Sequence, residues 1–297
     1  NIDNLINKSF ILKKKNKILS ITPLLIFENG PIKEASFAGN PLLFSLIAKV
    51  QNNQRYNQIL NKIYEKKIEL SKKYDVKKIL VRLPHISNND NYVFFKEIIN
   101  KFNFTIIKSS DFFSLRSTAE LILNLDHDIV LRKKNTSYVK YTNEKTIFKV
   151  LSKDSFDENL FNMYCTFHNE NKKNKRSAEN FVYNRSLILK GMQCVFLCIL
   201  NDKIINALVT VNFNNKAYYN SSVNKIVDKK IYGNFVLINK ALNFYKNKNF
   251  REFSMGDVVD DKSLQNCEYS NKEKNLSRFK NNWKGNLFYF NNYFHDF

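Results

Sequence analysis

The segment SRFKNNWKGNLFYF, residues 277–290, gathers residue types that are rare elsewhere in this chain. It holds the sole tryptophan, Trp283, and one of six glycines, Gly285, just after the Phe279-Lys280 pair. An ammonium group held beside a reacting carbonyl stabilises the oxyanion that forms when an amine attacks an activated ester or thioester. Lys280 is a catalytic candidate for this chemistry, although on spacing alone one solvated lysine among many is the favoured interpretation. Phe279 and Trp283 are candidates for substrate contact, although their type favours packing, and Gly285 favours a turn into the next strand.

A second catalytic candidate ends the segment SMGD, residues 254–257. Asp257 follows a predicted strand, and a carboxylate at a strand end could accept the proton of an attacking amine. The competing interpretation is an Asx turn or a helix N-cap beside Gly256, and this is the one that the Gly-Asp pair favours.

The sequence supports a metal-binding or phosphate-binding site less strongly than these two catalytic candidates. Asp126, His127 and Asp128 form a DHD cluster, but no second histidine lies at ligand spacing, so a loop is the favoured interpretation and no metal is expected. His168 precedes a cationic stretch that could touch phosphate, and an exposed helix end is the favoured alternative.

The charge of the chain is strongly positive, with 48 Lys and Arg against 27 Asp and Glu, a net charge of +21. Such a chain attracts RNA, an anionic membrane surface, or phosphorylated and nucleotide-linked substrates. The alternative is a compositional bias toward Lys, Asn and Ile at solvated positions. Arg132, with Lys133 and Lys134, is a candidate contact for a nucleotide or lipid diphosphate, or else part of a charged linker.

Cysteine usage and hydropathy indicate a cytoplasmic protein. Cys165, Cys194, Cys198 and Cys267 form no CxxC pair, and buried reduced thiols explain them better than disulfides or zinc. No apolar run reaches the roughly 18 residues that a transmembrane helix needs, and no secretory segment is recognisable.

Periodicity predicts strands alternating with helices. The first half should contain a turn at 29–31, an amphipathic helix within 44–74, a strand at 76–84, a helix at 91–104 and strands at 105–110 and 119–126. The second half should contain a strand at 146–151, helices at 154–170 and 177–190, a hairpin turning at Asn201-Asp202, a strand at 216–223, a helix at 234–249 and a strand at 250–258. This second order is that of an acetyltransferase-like (GNAT) domain.

The loop before the helix at 234–249 occupies the position of the GNAT pyrophosphate loop, where backbone amides at a helix N-terminus face an anion. Lys230 and Gly233 are candidate substrate-binding residues there. Phe235 stands where the acetyl-CoA pattern has a small residue, so close approach of a pyrophosphate is not expected. The first half offers a weaker version of the same order, which predicts an α/β (α+β) protein of two tandem GNAT-like domains, residues 1–125 and 126–297.

The chain resembles the FemABX family of peptidyltransferases and related N-acyltransferases. The resemblance rests on the FAGNPL loop, the LNLD strand that enters an Arg/Lys-rich segment, REFSMGD, and the closing LSRFKNNWKGNLFYF. It implies two GNAT-like domains and a role for Lys280 at the reacting carbonyl or a nearby phosphate. It also implies a repurposed acetyl-CoA loop.

The expected function is an acyltransferase acting in cell-envelope biogenesis. It would move an aminoacyl or acyl group from an aminoacyl-tRNA or another acyl carrier to an amine of a peptidoglycan or surface-glycan precursor. We expect no permanently bound cofactor, a tRNA donor, a nucleotide- or lipid-linked glycan acceptor, and peripheral contact with the inner membrane face without a transmembrane segment. The alternatives are a noncatalytic RNA- or surface-binding protein and a conventional acetyl-CoA-dependent acetyltransferase.

Overall fold

The computed structural model describes residues 4–37, 42–43, 45–47, 53–84, 99–106, 118–126, 146–173, 175–213, 215–225, 233–259 and 269–297. The chain forms two compact units. Unit 1 comprises Asn1–Ala119, Asp257–Asn275 and Phe288–Phe297, and unit 2 comprises Glu120–Gly256 and Leu276–Leu287. These units are assembled from separate stretches, whereas the division at residues 125 and 126 cuts the chain into two continuous domains. That division stays a prediction.

Sixteen strands and five helices are defined within the described residues. The strands are β1 Leu5–Asn7, β2 Phe10–Lys14, β3 Lys17–Thr22, β4 Leu25–Asn29, β5 Ile32–Ala35, β6 Leu42–Leu43, β7 Leu46–Ile47, β8 Lys78–Pro84, β9 Thr105–Ile106, β10 Thr118–Asn124, β11 Thr146–Leu151, β12 Gln193–Leu200, β13 Lys203–Phe213, β14 Lys216–Asn224, β15 Glu252–Val258 and β16 Asn286–Asp296. The helices are α1 Asn53–Lys73, α2 Glu158–Asn171, α3 Ala178–Leu189, α4 Gly233–Asn247 and α5 Asn271–Lys280.

Unit 1 contains a mixed sheet in the order β1-β4-β5-β8-β16, with β6 also paired to β8 and β9 to β16. Strand β8 is parallel to β5 and antiparallel to β16. A separate three-stranded sheet has the order β2-β3-β7. Helix α1 contributes Leu60, Ile63 and Tyr64 to the hydrophobic core of this unit. These residues are the apolar positions that recur at helical spacing in the sequence, so α1 is amphipathic as predicted.

Helix α1 lies within the predicted range of residues 44–74. It begins only at Asn53, because Leu46–Ile47 forms β7 and pairs with Ser20 and Ile21 of β3. The helix predicted at 91–104 falls mostly outside the described residues. The turn predicted at 29–31 joins the antiparallel strands β4 and β5, and Gly30 there has φ +62°.

Unit 2 contains a sheet in the order β10-β15-β14-β13-β12-β11. Strands β11 to β14 form an antiparallel meander, while β14 and β15 are parallel. The turn between β12 and β13 is at Asn201 and Asp202, as predicted, and both have positive φ, 48° and 60°. Two successive positive φ angles match the twist of a two-residue hairpin, and Asn and Asp tolerate them well.

Strand β12 is buried along nearly its whole length, because helices cover both of its faces. Val195 and Leu197 belong to a core that also contains side chains of α2 and α3, while the ring of Phe196 contacts Phe244 of α4 at 5.4 Å between centroids. Cys194 and Cys198 of this strand are buried free thiols, as predicted. No helix in the described ranges is long and apolar enough to cross a bilayer.

Candidate functional site

The parallel strands β14 and β15 of unit 2 separate soon after they pair. Lys216, Ala217 and Tyr218 pair with Glu252, Phe253 and Ser254, and the described residues beyond Tyr218 and Ser254 show no further pairing between these strands. On its other side β14 has an irregularity, because the partners of Val209 and Thr210 are Ser221 and Tyr219, which leaves Asn220 unpaired. A bulge of this kind bends a strand and often lies beside a binding site. The sheet therefore opens at Tyr219 on one strand and Met255 on the other.

Lys280 lies in unit 2 as the last residue of α5, and it is only 6% exposed. Its Nζ atom is 5.7 Å from the centroid of the Tyr219 ring. A methyl group built on Gly256 would lie 3.5 Å from the same atom. The interpretation of Lys280 as a solvated surface lysine is therefore wrong. The structure holds its ammonium group between the two strands that separate.

The surroundings of Lys280 are partly polar. Gly256 has φ +73°, a conformation that glycine adopts without strain, and its N–H donates to Ser254 Oγ at 3.0 Å. The Ser254 hydroxyl in turn donates to Glu120 of β10. Burial raises the pKa of Tyr219, so its hydroxyl is protonated at neutral pH, and it shares a hydrogen bond of 2.7 Å with Ser222 Oγ. Hydrogen-bonding side chains of β10, β14 and β15 thus lie in the neighbourhood of the Lys280 ammonium group.

Aromatic packing fixes the end of α5. The Phe235 ring near the start of α4 lies 4.9 Å from that of Phe279 and 6.3 Å from that of Trp283, measured between centroids. Trp283 is 1% exposed. Both candidate rings therefore make packing contacts, which agrees with the interpretation that their residue types favour. Their role in substrate contact stays a prediction.

Gly285 makes a close approach to β10. A Cβ atom there would lie 2.6 Å from both the Ile122 carbonyl oxygen and Leu123 Cδ2. Its φ is not among the positive values of the chain, so this glycine is needed for space rather than for the turn conformation predicted.

Gly233 begins α4 and is buried. A Cβ atom there would collide with the side chain of Asn206 from β13. The Asn206 Nδ2 group donates to Asn224 Oδ1 at 2.9 Å, which joins β13 and β14 just before the loop to α4. The glycine thus allows the helix to start directly against an asparagine pair. Lys230, the other candidate in this loop, lies outside the described residues, and so does Arg132.

Asp257 lies in unit 1, where both of its carboxylate oxygens are bound by Arg82. The Nη1–Oδ1 and Nη2–Oδ2 distances are 3.0 and 3.1 Å, and the side chains are 15% and 20% exposed. Arg82 also donates from Nε to Oδ1 of the fully buried Asn292 at 3.2 Å. Asp257 lies within strand β15, so a helix N-cap does not describe it, and its two oxygens form a fork-to-fork ion pair with Arg82. A role as proton acceptor stays a prediction.

Two weaker candidates have ordinary structural roles. His168 is 3% exposed and packs edge-on against Tyr164 and Phe181, so its interpretation as an exposed helix end is wrong. Burial, followed by the nearby Arg176, lowers its pKa, which favours the neutral imidazole. Asp126 donates its N–H to Asn124 Oδ1 at 2.9 Å in an Asx turn.

His127 and Asp128 lie outside the described residues, as do Lys133, Lys134 and Cys267. Within the described part of the chain no group of three His, Cys, Asp or Glu side chains is placed to hold a metal.

Four residues of these sites were not singled out from the sequence: Tyr219, Asn206, Glu120 and Arg82. Each lies within a strand that reads as ordinary sheet, and each contacts a side chain of another strand or helix. Arg82, for instance, is 175 residues from Asp257. The signal that could have found Arg82 is its position as the lone charge in the apolar run ILVRLP.

Neither the family models nor the curated proteins give a match to this sequence. Solved structures do match. FemX superposes with a TM-score of 0.69 at 8% identity, covering 100% of this chain and 89% of FemX. L-PGS from Bacillus licheniformis gives 0.62 at 11% identity, covering 97% and 84% of the two chains. A tandem GNAT protein from the clavulanic acid biosynthesis pathway gives 0.61 at 10% identity, covering 99% and 83%.

The chain has a tandem GNAT fold. The two GNAT-like domains and the FemABX-like architecture predicted from element order and motifs are confirmed at the level of fold. Within this fold, the opening between β14 and β15 is the candidate site, and Lys280 is a charged side chain buried beside it.

Proposed function

We propose that this tandem GNAT protein is an N-acyltransferase, which moves an acyl or aminoacyl group from an activated carrier to an amine of a peptidoglycan or surface-glycan precursor. The observation that carries the proposal is the burial of the Lys280 ammonium beside Gly256, where β14 and β15 separate. An ammonium group held where two strands of a sheet separate can donate a hydrogen bond to an oxyanion that forms there.

The proposed reaction needs a positive group beside the oxyanion of its tetrahedral intermediate. The amine attacks the acyl carbonyl, the carbonyl oxygen becomes an oxyanion, and the Lys280 ammonium donates a hydrogen bond to it. As the tetrahedral intermediate collapses, the new C–N bond remains and the bond from carbon to the carrier breaks. The proton of the amine ends on the released hydroxyl or thiol. Asp257 is the proposed relay for this proton.

An aminoacyl-tRNA or another acyl carrier is the proposed donor, taken up as a substrate rather than as a bound cofactor. The net charge of +21 supports a polyanionic carrier. The proposed acceptor is a nucleotide- or lipid-linked glycan at the inner face of the membrane. Arg132 and Lys230 are proposed phosphate contacts, and Gly233 is proposed to lie beside the bound substrate.

The test is Lys280→Met, which keeps the aliphatic stem and removes the charge. Transfer of labelled amino acids from charged tRNA, or of acyl groups from thioesters, to nucleotide- and lipid-linked muropeptides is measured alongside the thermal midpoint. Loss of an oxyanion donor should lower turnover by about 100- to 1000-fold. The matched control is Lys274→Met, an exposed lysine of the same helix. Turnover of Lys280→Met within a few-fold of the parent, with an unchanged midpoint, would refute the catalytic role.

Two other functions are separated by simpler measurements. A noncatalytic RNA- or surface-binding protein would bind its partner but give no transfer from any donor. A conventional acetyltransferase would bind acetyl-CoA. We expect weak binding, because Phe235 packs against Phe279 and Trp283 and fills the position where the pyrophosphate pattern has a small residue. Calorimetric titration that gave a low-micromolar dissociation constant would contradict this and favour the acetyl-CoA enzyme.

A further inference from the structure

The hairpin of β2 and β3 in unit 1 has an exposed apolar face. Ile11, Ile18 and Ile21 are 50%, 48% and 46% exposed. Ile11 and Ile21 are direct cross-strand partners, so their side chains stand together on one face. Leu12 and Leu19 of the same hairpin pack against the core of unit 1. The hairpin is therefore apolar on both faces, and a cluster of exposed apolar side chains marks an interaction surface.

Lysines cluster at one end of this hairpin. Lys13, Lys14, Lys15 and Lys17 form the end of the hairpin, and all four are exposed. The sequence from residue 4 to residue 27 contains no Asp or Glu, so no acidic side chain of this segment neutralises them.

A groove between the hairpin and α1 adds further positive charge. Its volume is about 530 Å³, and its lining includes Lys13, Lys14, Arg55 and Lys62. The other lining residues that the structure describes are apolar or carry amides, and none is acidic. The groove therefore has a basic lining beside the lysines at the end of the hairpin.

We propose that the isoleucine face and the lysine end of the β2–β3 hairpin form a docking surface for an anionic lipid bilayer. The isoleucines enter the boundary between headgroups and acyl chains, and the lysines lie on the lipid phosphates. A lipid surface explains the isoleucines, which offer nothing to a nucleic acid that binds through phosphate contacts and base stacking. The inference does not depend on acyl transfer, because it concerns binding alone.

The experiment is co-sedimentation of the full chain with vesicles of phosphatidylcholine, alone or mixed equally with phosphatidylglycerol. The parent should bind the mixed vesicles and not the neutral ones. Two variants remove the two components of the surface: one combines Lys13→Gln, Lys14→Gln, Lys15→Gln and Lys17→Gln, and the other combines Ile11→Ser, Ile18→Ser and Ile21→Ser. The lysine variant should lose roughly 100- to 1000-fold in partition coefficient. The isoleucine variant should lose about tenfold or more while its net charge is unchanged.

Matched controls separate this surface from charge in general. One combines Lys149→Gln, Lys153→Gln, Lys190→Gln and Lys203→Gln, which removes four exposed lysines elsewhere. The other combines Ile32→Ser and Ile147→Ser, at isoleucines that are 50% and 49% exposed. Both controls should bind like the parent. The proposal would be overturned if the control and hairpin lysine variants lost equal amounts of vesicle binding. It would also be overturned if the parent bound neutral and phosphatidylglycerol-containing vesicles equally. An isoleucine variant that keeps full vesicle binding, while the hairpin lysine variant loses tRNA binding as well, would assign the surface to nucleic acid instead.

Discussion

Lys67 is fully buried on α1, and within the described residues its Nζ atom has no hydrogen-bond partner. The ring of Tyr64 lies 5.6 Å from this atom. Burial lowers the pKa of Lys67 from 10.5 to about 8. A buried ammonium without a hydrogen-bond partner opposes folding, since the charged form is better solvated in the unfolded chain.

We therefore expect Lys67→Met to stabilise the protein at pH 7, by up to roughly 3 kcal/mol from the difference in pKa. The folded pKa lies below the unfolded one, so the parent gains stability as pH rises from about 8 to 10.5. The advantage of the variant should shrink over the same range.

Urea unfolding of parent and variant at pH 7 and at pH 9.5 measures this change. The control is Lys66→Met, because the adjacent Lys66 has a side chain that is 45% exposed and pairs with Glu69. It should change stability little at either pH. A marked destabilisation by Lys67→Met at pH 7 would contradict the prediction.

Individual residues were only partly predictable. Lys280 was identifiable because it stands in a segment with rare residue types, but its burial depends on the position of α5, which the segment itself does not specify. Asp257 was identifiable as a polar residue at a strand end. Its guanidinium partner was not, because the pairing depends on the register of β8 and β16. Sequence patterns report which residue types are present, whereas contacts between distant strands decide what each of them does.

At the scale of elements, the start of α4 requires a residue without a side chain, Gly233, against Asn206. Gly233→Ala should displace the Asn206 side chain and weaken its hydrogen bond to Asn224, which costs about 1–3 kcal/mol of stability. In an Asn206→Ala background the obstacle is absent. There the same substitution should be neutral or slightly stabilising, because alanine is the better helix former.

A double-mutant cycle by chemical denaturation measures this coupling. A coupling energy of about 1 kcal/mol or more is expected for two groups in direct contact. Simple additivity of the two substitutions would mean that the loop before α4 moves to accept the methyl group without involving Asn206.

Element boundaries followed from local chemistry where caps were present. Helices α2 and α3 begin close to their predicted starts, and Asp157 and Ser177 accept hydrogen bonds at their N-termini from the amides of Leu160 and Asn180. The apolar residues at 46–47, ahead of α1, fit both a helical pattern and a short strand. Their pairing with β3 decided between the two, and pairing is not a local property.

At the scale of the whole molecule, the excess of positive charge should affect stability. With a net charge of +21, the positively charged side chains repel one another in the folded state, and dissolved salt screens this repulsion. Several ion pairs, such as Lys33–Glu28 and Lys101–Glu65, are largely solvent-exposed and contribute little to stability. Screening of these pairs by salt should therefore cost little stability. Raising sodium chloride from low to physiological concentration should therefore raise the thermal midpoint.

Differential scanning fluorimetry across a salt series at pH 7 measures this effect. Sodium chloride is compared with an osmolyte of equal osmolality. This comparison separates screening of charge repulsion from stabilisation by a solute that is excluded from the protein surface. A midpoint that falls with salt would show that attractive pairs outweigh the repulsion.

The fold as a whole was predictable because the order of strands and helices survives when sequence identity does not. The assembly of unit 1 was not predictable, because its strand β16 comes from the far end of the chain and pairs with β8 across some two hundred residues. Such a pairing leaves no periodic trace in either strand.

The pairing of β8 with β16 also determines the order in which the units can finish folding during translation. Residues 78–84 leave the ribosome early, but their antiparallel partner, residues 290–296, is synthesised only after residues 120–256 of unit 2. The nascent chain therefore exposes an unpaired edge of β8 while unit 2 is already folding. An exposed strand edge is a site for chaperone binding or for wrong pairing with another chain. The unit that is made first is thus completed last.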